Sequence, residues 1–213
     1  MPQLCNRRPI AHFGCNHVNH LLLDTDLIFA NTSKHISLSN EEKNHFKSLL
    51  KEEKLKKNSF LIRQGNPCNH IHFVNTGTLR AYYLNPKGKD STLMFATEDW
   101  WITDMHCFLN GLPAMVNIKA IETSSILKLS KKDLDALYLD IPVFNQFFRI
   151  LMQKAYCREQ LRMIQQLSLP ALDRYEHFLE KYPEIARKVP LKQIASYLGV
   201  TPEFLSNIRN SKP

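Results

Sequence analysis

The sequence predicts an α+β protein in which a small antiparallel jelly roll or β-roll is followed by a long helix and a C-terminal helix-turn-helix. Three stretches of the 213 residues carry that expectation. Between 60 and 129 the apolar period is that of strands. From 143 to 168 neither Gly nor Pro interrupts a helical pattern. Residues 189–210, VPLKQIASYLGVTPEFLSNIRN, match a helix-turn-helix at every offset that matters.

Taken in order, residues 1–35 hold Cys5, His12, Cys15, His17 and His20. Cys and His are the usual zinc ligands, but this spacing matches no common finger or cluster. An irregular arm is expected, with apolar runs at 21–23 and 27–29 and no metal site. Ser39 caps a helix that carries Glu41 and Glu42 in its first turn and Phe46, Leu49 and Leu50 on one face. Lys51, Lys54, Lys56 and Lys57 interleave with Glu52 and Glu53, which reads as a solvated connector.

The runs FLIRQ, IHFVN, LRAYYL, LMFAT, NIKAIE and ILKL then alternate with turn chemistry at Gly65-Asn66-Pro67, Asn75-Thr76-Gly77 and Asn85-Pro86-Lys87-Gly88. Short strands at this spacing argue for a barrel or jelly roll, a natural pocket. A short helix over 131–139 follows, and Pro142 starts another that runs to Ser168, about 40 Å at 1.5 Å per residue. Phe144, Phe147, Leu151, Ala155, Arg158, Leu161, Gln165 and Ser168 mark a seam near 3.5-residue spacing. A homodimer interface explains it most simply; a spine joining two domains is the alternative. After Leu169-Pro170-Ala171, Leu172, Tyr175, Phe178 and Leu179 form an amphipathic helix closed by Tyr182-Pro183, and 185–190 is a connector.

In the final stretch Ile194, Ala195 and Leu198 give a first short helix its apolar face, and Gly199 suits a turn with positive φ. Thr201-Pro202 is a helix start, with Glu203 favouring the dipole. Leu205 and Ile208 are the buried side of the second helix. Any small helical hairpin shares some of these features, but not all at these offsets.

A formal charge of +8 fits a polyanionic partner, for which nucleic acid is the simplest choice; the helix-turn-helix makes that partner double-stranded DNA. Five scattered cysteines without a Cys-x-x-Cys pair point to a reducing cytoplasm. No apolar run has membrane-spanning length and none reads as a signal peptide, so a cytoplasmic protein without membrane contact is expected. No nucleophile–base pair, paired carboxylates or phosphate-cradling Gly-rich loop stands out, so an enzyme is not expected; Asp99, Asp104 and His106 are the nearest constellation.

Helix, β-barrel, long helix and helix-turn-helix in this order resemble the Crp/Fnr family of bacterial transcription regulators. The motifs that carry the resemblance are FLIRQGNPCNHIHFVNTGTLRAYY and the 189–210 stretch. It covers 36–213: a cyclic-nucleotide-binding-like β-roll over 36–141, a dimerisation helix over 142–168 and a winged helix-turn-helix over 169–213. Residues 1–35 remain an arm. So few residues follow Asn210 that the resemblance places the wing near 187–189.

The same resemblance assigns an effector pocket to Trp100, Trp101, Thr103, Asp104, Ala114 and Met115. Where cyclic-AMP-binding members carry Gly-Glu for the ribose and Arg-Ser for the phosphate, this chain has Thr103-Asp104 and Ala114-Met115. Without that Arg a buried cyclic phosphate loses its charge-assisted bidentate partner, so cyclic AMP is not the expected effector. Trp100, Trp101 and Met115 either make the pocket apolar or fill it. The thiolate set of an iron–sulfur member is absent; His70, His72 and His106 are available to haem, though lone histidines are more often structural. No cofactor is expected and the effector is unknown.

For DNA, Pro202, Glu203 and Asn207 take the places that face bases. Asn suits adenine and Glu accepts from cytosine. Thr201, Ser206, Arg209 and Asn210 are further edge or phosphate contacts, and Lys192 and Gln193 touch the backbone. The implied function is a homodimeric, sequence-specific transcription regulator that does not answer to cyclic AMP, with RNA polymerase as a further implied partner. The alternative is a cyclic-nucleotide or other small-molecule sensor acting through its β-roll.

Overall fold

A computed structural model describes residues 23–210. The order is α1 (Asp26–Ser33), α2 (Asn40–Leu49), β1 (Lys51–Leu55), β2 (Phe60–Ile62), β3 (His70–Thr76), β4 (Leu79–Leu84), β5 (Asp90–Ala96), β6 (Trp100–Ile102), α3 (Met105–Asn110), β7 (Asn117–Ala120) and β8 (Ser124–Ser130). Helices α4 (Lys131–Asp140), α5 (Val143–Ser168), α6 (Ala171–Lys181), α7 (Pro183–Lys188), α8 (Leu191–Leu198) and α9 (Pro202–Asn210) complete the chain.

Eight strands form two antiparallel four-stranded sheets, β1-β8-β3-β6 and β2-β7-β4-β5. Buried residues on both sheets, among them Ile71, Phe73, Leu79, Ile118, Ile126 and Leu127, join one core. Gly77 lies at φ +93°, and a Cβ there would meet the Ser124 side chain and stand 2.8 Å from the Thr123 carbonyl oxygen. Only Gly fits this turn.

Two strands differ from expectation. Residues 51–55, expected as a solvated connector, are edge strand β1, paired along its length with β8. Only Leu55 is buried, because an edge strand keeps its charges in water and gains protection from foreign pairing by doing so. Trp100 to Ile102 add β6, too short to show a period. The packed part of the chain also starts before residue 36: Ile28 and Thr32 of α1 are buried against the β-roll. The Cys5, His12, Cys15, His17 and His20 group lies outside the described residues.

Helix α2 carries the expected capping box between Ser39 and Glu42. A second core joins Tyr175 and Phe178 of α6, Ile185 of α7, Ile194, Ala195 and Leu198 of α8 and Leu205 of α9. The wing expected near 187–189 is not a wing: those residues end α7 and lead into α8, and no strand follows Ser130 among the described residues. Pro183 at the first helical position starts that extra turn of helix. No described helix is long and apolar enough to cross a membrane.

Candidate nucleic-acid interface and effector pocket

Gly199, at φ 73°, ends α8 in the left-handed conformation, and its N–H donates to Ala195 O. Thr201 Oγ1 then accepts from Phe204 N at 3.2 Å, the cap expected for α9. Leu205 is fully buried, which turns the rest of α9 outward. Glu203, Asn207, Arg209 and Asn210 are exposed, with Thr201 and, on α8, Lys192; Pro202 and Ser206 are half-buried. Phe204, half exposed beside them, was not among the sequence candidates because an aromatic at that spacing reads as core. An outward ring on such a face suits a thymine methyl.

Gln193 does not join that surface. It turns toward the β-roll, where its carbonyl accepts from Thr92 Oγ1 and its side chain lines a cleft with Arg80, Tyr82 and Lys188. The sequence shows which residues α8 leaves polar, not that another domain covers some of them.

That covering is a polar joint between β5 and α8. Arg80 on β4, almost fully buried, donates to Asp90 through both terminal nitrogens (2.9 and 3.1 Å) and to Thr92 Oγ1 through Nε (2.9 Å). Ser196 Oγ accepts from Thr92 N at 2.9 Å and donates to Asp90 O at 3.1 Å. The guanidinium beside Asp90 holds its carboxyl below the usual range. Arg162 of α5 closes the joint, donating to the carbonyls of Leu93 and Thr92 while stacking over Tyr197 at 4.3 Å. Phe95 of β5 enters the C-terminal core against Phe178 and Tyr197.

A cavity of about 260 Å³ lies between β6 and α5, lined by Trp100, Trp101, Thr103, Leu151, Ala155 and Arg158, among others. The other three pocket candidates stand elsewhere. Ala114 is buried and exchanges backbone hydrogen bonds with Gly65 and Asn66, and the Met115 side chain is exposed. Asp104 caps α3 by accepting from Cys107 N, and its Oδ2 accepts from Met115 N at 2.7 Å and Val116 N at 3.2 Å. A carboxylate that satisfies three amides fixes a loop.

The aromatics are anchored as well. Trp101 packs on Phe73, Phe147 and Phe148 and donates to Asn31 Oδ1; Trp100 meets Tyr182 at its edge and the Arg158 guanidinium on its face. His72 is buried with Nδ1 3.3 Å from Ile102 O, and burial depresses its pKa to about 3; His106 is exposed on α3. Asp99 binds Asn31 and Lys34 instead of joining His106.

The family description "Cyclic nucleotide-binding domain" matches residues 52–140. The transcriptional activator protein Anr of Pseudomonas protegens is 25% identical over 193 residues, covering 81% of this chain and 75% of that protein. A CooA mutant from Carboxydothermus hydrogenoformans superposes with a TM-score of 0.65 at 18% identity, over 88% of this chain and 84% of that one. A putative transcriptional regulator of the Crp/Fnr family from Eubacterium rectale does so at 0.64 and 20%, over 81% and 82%. Residues 52–140 are thus a cyclic nucleotide-binding domain, in a chain that is similar to the transcriptional activator Anr and has the fold of Crp/Fnr regulators.

The long helix departs from the seam expected of it. Phe144 and Phe147 are fully buried in the β-roll core, Leu151 and Ala155 line the cavity, and Arg158 lies on Trp100. The 3.5-residue stripe marks what α5 buries, and the chain's own domains bury most of it. Of its apolar members only Leu161 is largely exposed, and Ser168 at the polar end is exposed as well. The opposite face exposes Tyr156, Met163, Ile164 and Leu167, the last at 83%.

Proposed function

We propose that this chain is a transcription regulator of the Crp/Fnr type, a cytoplasmic homodimer whose two α9 helices enter successive major grooves of a two-fold symmetric DNA site. The outward face of α9 carries this reading. Asn207 and Glu203 are placed to read base edges, with Phe204 against a thymine methyl, and Arg209 and Lys192 to hold phosphates. Second copies would meet along Tyr156, Met163, Ile164 and Leu167, a face too apolar to favour water. Contact with RNA polymerase would follow once the dimer is on its site.

Cyclic AMP does not fit this chain. The Asp104 carboxylate already takes the Met115 and Val116 amides, and Ala114 offers only a methyl group where a cyclic phosphate needs a cation. The effector that fits the β6–α5 cavity is a small, largely apolar molecule against Trp100, Trp101 and Met105. Such a molecule would shift α5, and Arg162, which bonds β5 and α8 together, would pass that shift to the reading head. The ligand acts only through unequal affinity for the two arrangements.

Selection of duplexes from a random pool tests the reading. A two-fold symmetric consensus is expected, with Arg209→Ala weakening all sequences and flattening the salt slope while Asn207→Ala relaxes individual positions. Equal losses on every sequence for both variants would refute base reading by α9.

A further inference from the structure

We propose that the crevice between α5, α6 and α8 is a binding site for a small oxyanion of the phosphate class, held by Arg162, Arg174 and Lys181. It lies behind the reading head. None of its lining residues belongs to α9, so the site is separate from the face proposed to meet DNA and independent of that reading.

Charge is the first observation. Arg158 and Arg162 of α5 and Arg174 and Lys181 of α6 line the crevice together with Gln165 and His177. One carboxylate, Glu159, reaches Arg158 at 3.5 Å and Arg162 at 3.4 Å, both long contacts. Arg174 donates to the Leu198 carbonyl at 2.8 Å, a neutral acceptor, and neither it nor Lys181 forms an ion pair among the described residues. Cations gathered this closely repel one another unless a counter-charge enters.

The second observation is unsatisfied hydrogen bonding. The Nε–H groups of Arg162 and Arg174 are shielded from solvent and have no acceptor among the described residues. Buried donors are normally paired, and charged ones most of all. Two such donors, lining one crevice from two helices, define a demand for an anionic acceptor. A tetrahedral oxyanion meets it, since its oxygens accept in several directions at once and guanidinium groups grip them in pairs.

Size agrees. The open crevice offers about 80 Å³. One water needs roughly 10–15 Å³ of such space, so a phosphate group fits inside and a nucleoside would project outward. An anion seated there would bind the spine, α6 and the Tyr197 side of α8 to one another, stiffening the joint that sets where the reading head stands.

The test is calorimetric titration of the full chain with inorganic phosphate at constant ionic strength, set by chloride. Adenosine monophosphate in a parallel arm separates a free oxyanion from a phosphoryl group carried on a nucleotide, and tighter binding of either one assigns the source. Saturable binding is expected, weakened by about tenfold or more in Arg174→Gln and by several-fold in Lys181→Gln. Lys43→Gln on α2 should match the parent chain. Lys181 is exposed, so its variant keeps the test sound even where Arg174→Gln fails to fold. Absence of saturable binding in both arms overturns the proposal, as does equal binding by every variant. So does loss of duplex affinity and salt slope in Arg174→Gln without any phosphate binding, which would give these cations to the DNA backbone.

Discussion

Asp104 Oδ2 accepts the backbone N–H of Met115 at 2.7 Å, a bond from a buried side chain to the loop before β7. Val116 N shares the same oxygen at 3.2 Å. On the proposed reading, an internal carboxylate takes the amides that a ligand's anion would need. Neither cyclic AMP nor cyclic GMP should bind: Trp100 and Trp101 fluorescence is expected to stay flat through a millimolar-range titration. Replacing Asp104 by Ala strands buried amides, each worth about 1–3 kcal/mol, and urea denaturation should show a loss of that order. A saturable fluorescence response to cyclic AMP in the parent chain would defeat this account.

The Arg80–Asp90 pair should govern how the head is held. Removing Asp90 leaves a buried guanidinium without its charge partner, which typically costs about 3–5 kcal/mol, whereas Ser196→Ala removes neutral bonds worth about 1 kcal/mol. Asp90 has a folded pKa below its ordinary 3.8. Its contribution is therefore complete above pH 3.8 and is lost as pH falls through the lower folded value. Denaturation midpoints of parent and Asp90→Asn, followed through that window, should converge as the acid removes what the substitution removed. Parallel curves would show that the pair contributes nothing to stability.

His72 predicts a second, milder acid sensitivity. Burial lowers its pKa from 6.5 to about 3, so the unfolded chain takes up a proton near pH 6 that the folded chain refuses. Stability is complete above pH 6.5 and declines progressively as pH falls toward 3, by at most about 5 kcal/mol at about 1.4 kcal/mol per pH unit. His72→Phe should remove much of the decline between pH 6.5 and 4.5 in urea titrations. An unchanged pH profile in that variant would mean that the imidazole finds a partner when charged.

The helix-turn-helix was readable because each of its demands falls on a residue type with a local cause: Ala195 at the crossing, Gly199 at positive φ, Thr201 as cap. The β-roll was readable where strands are apolar. Strand β1 was not, since an edge strand can be written almost wholly in Lys and Glu. Asp104, assigned to the effector pocket by resemblance, is a bracket for a loop, because its partners are backbone amides that no side-chain pattern displays. Gln193 reads in the sequence as a contact to the DNA backbone and Ser196 carries no signal there; contact with β5, about a hundred residues earlier, gives both their role.

Helix α5 exposes the same limit and allows a sharp test. Periodicity identifies a buried stripe without saying what buries it, and Phe144 and Phe147 pack inside their own β-roll. Phe147→Ala should therefore act on folding, with a loss of about 3–5 kcal/mol in urea denaturation. Ile164→Glu and Leu167→Glu lie on the exposed face and should leave monomer stability within about 0.5 kcal/mol, as surface changes do. In the proposed dimer a charge there opposes its own copy across the two-fold axis, so sedimentation should show dimers for the parent chain and monomers for these variants at the same concentration. Duplex affinity should fall with dimerisation, because a single head reads only half of a symmetric site. Dimers that survive Leu167→Glu but dissociate with Arg158→Ala would restore the interface to the stripe that the sequence first suggested.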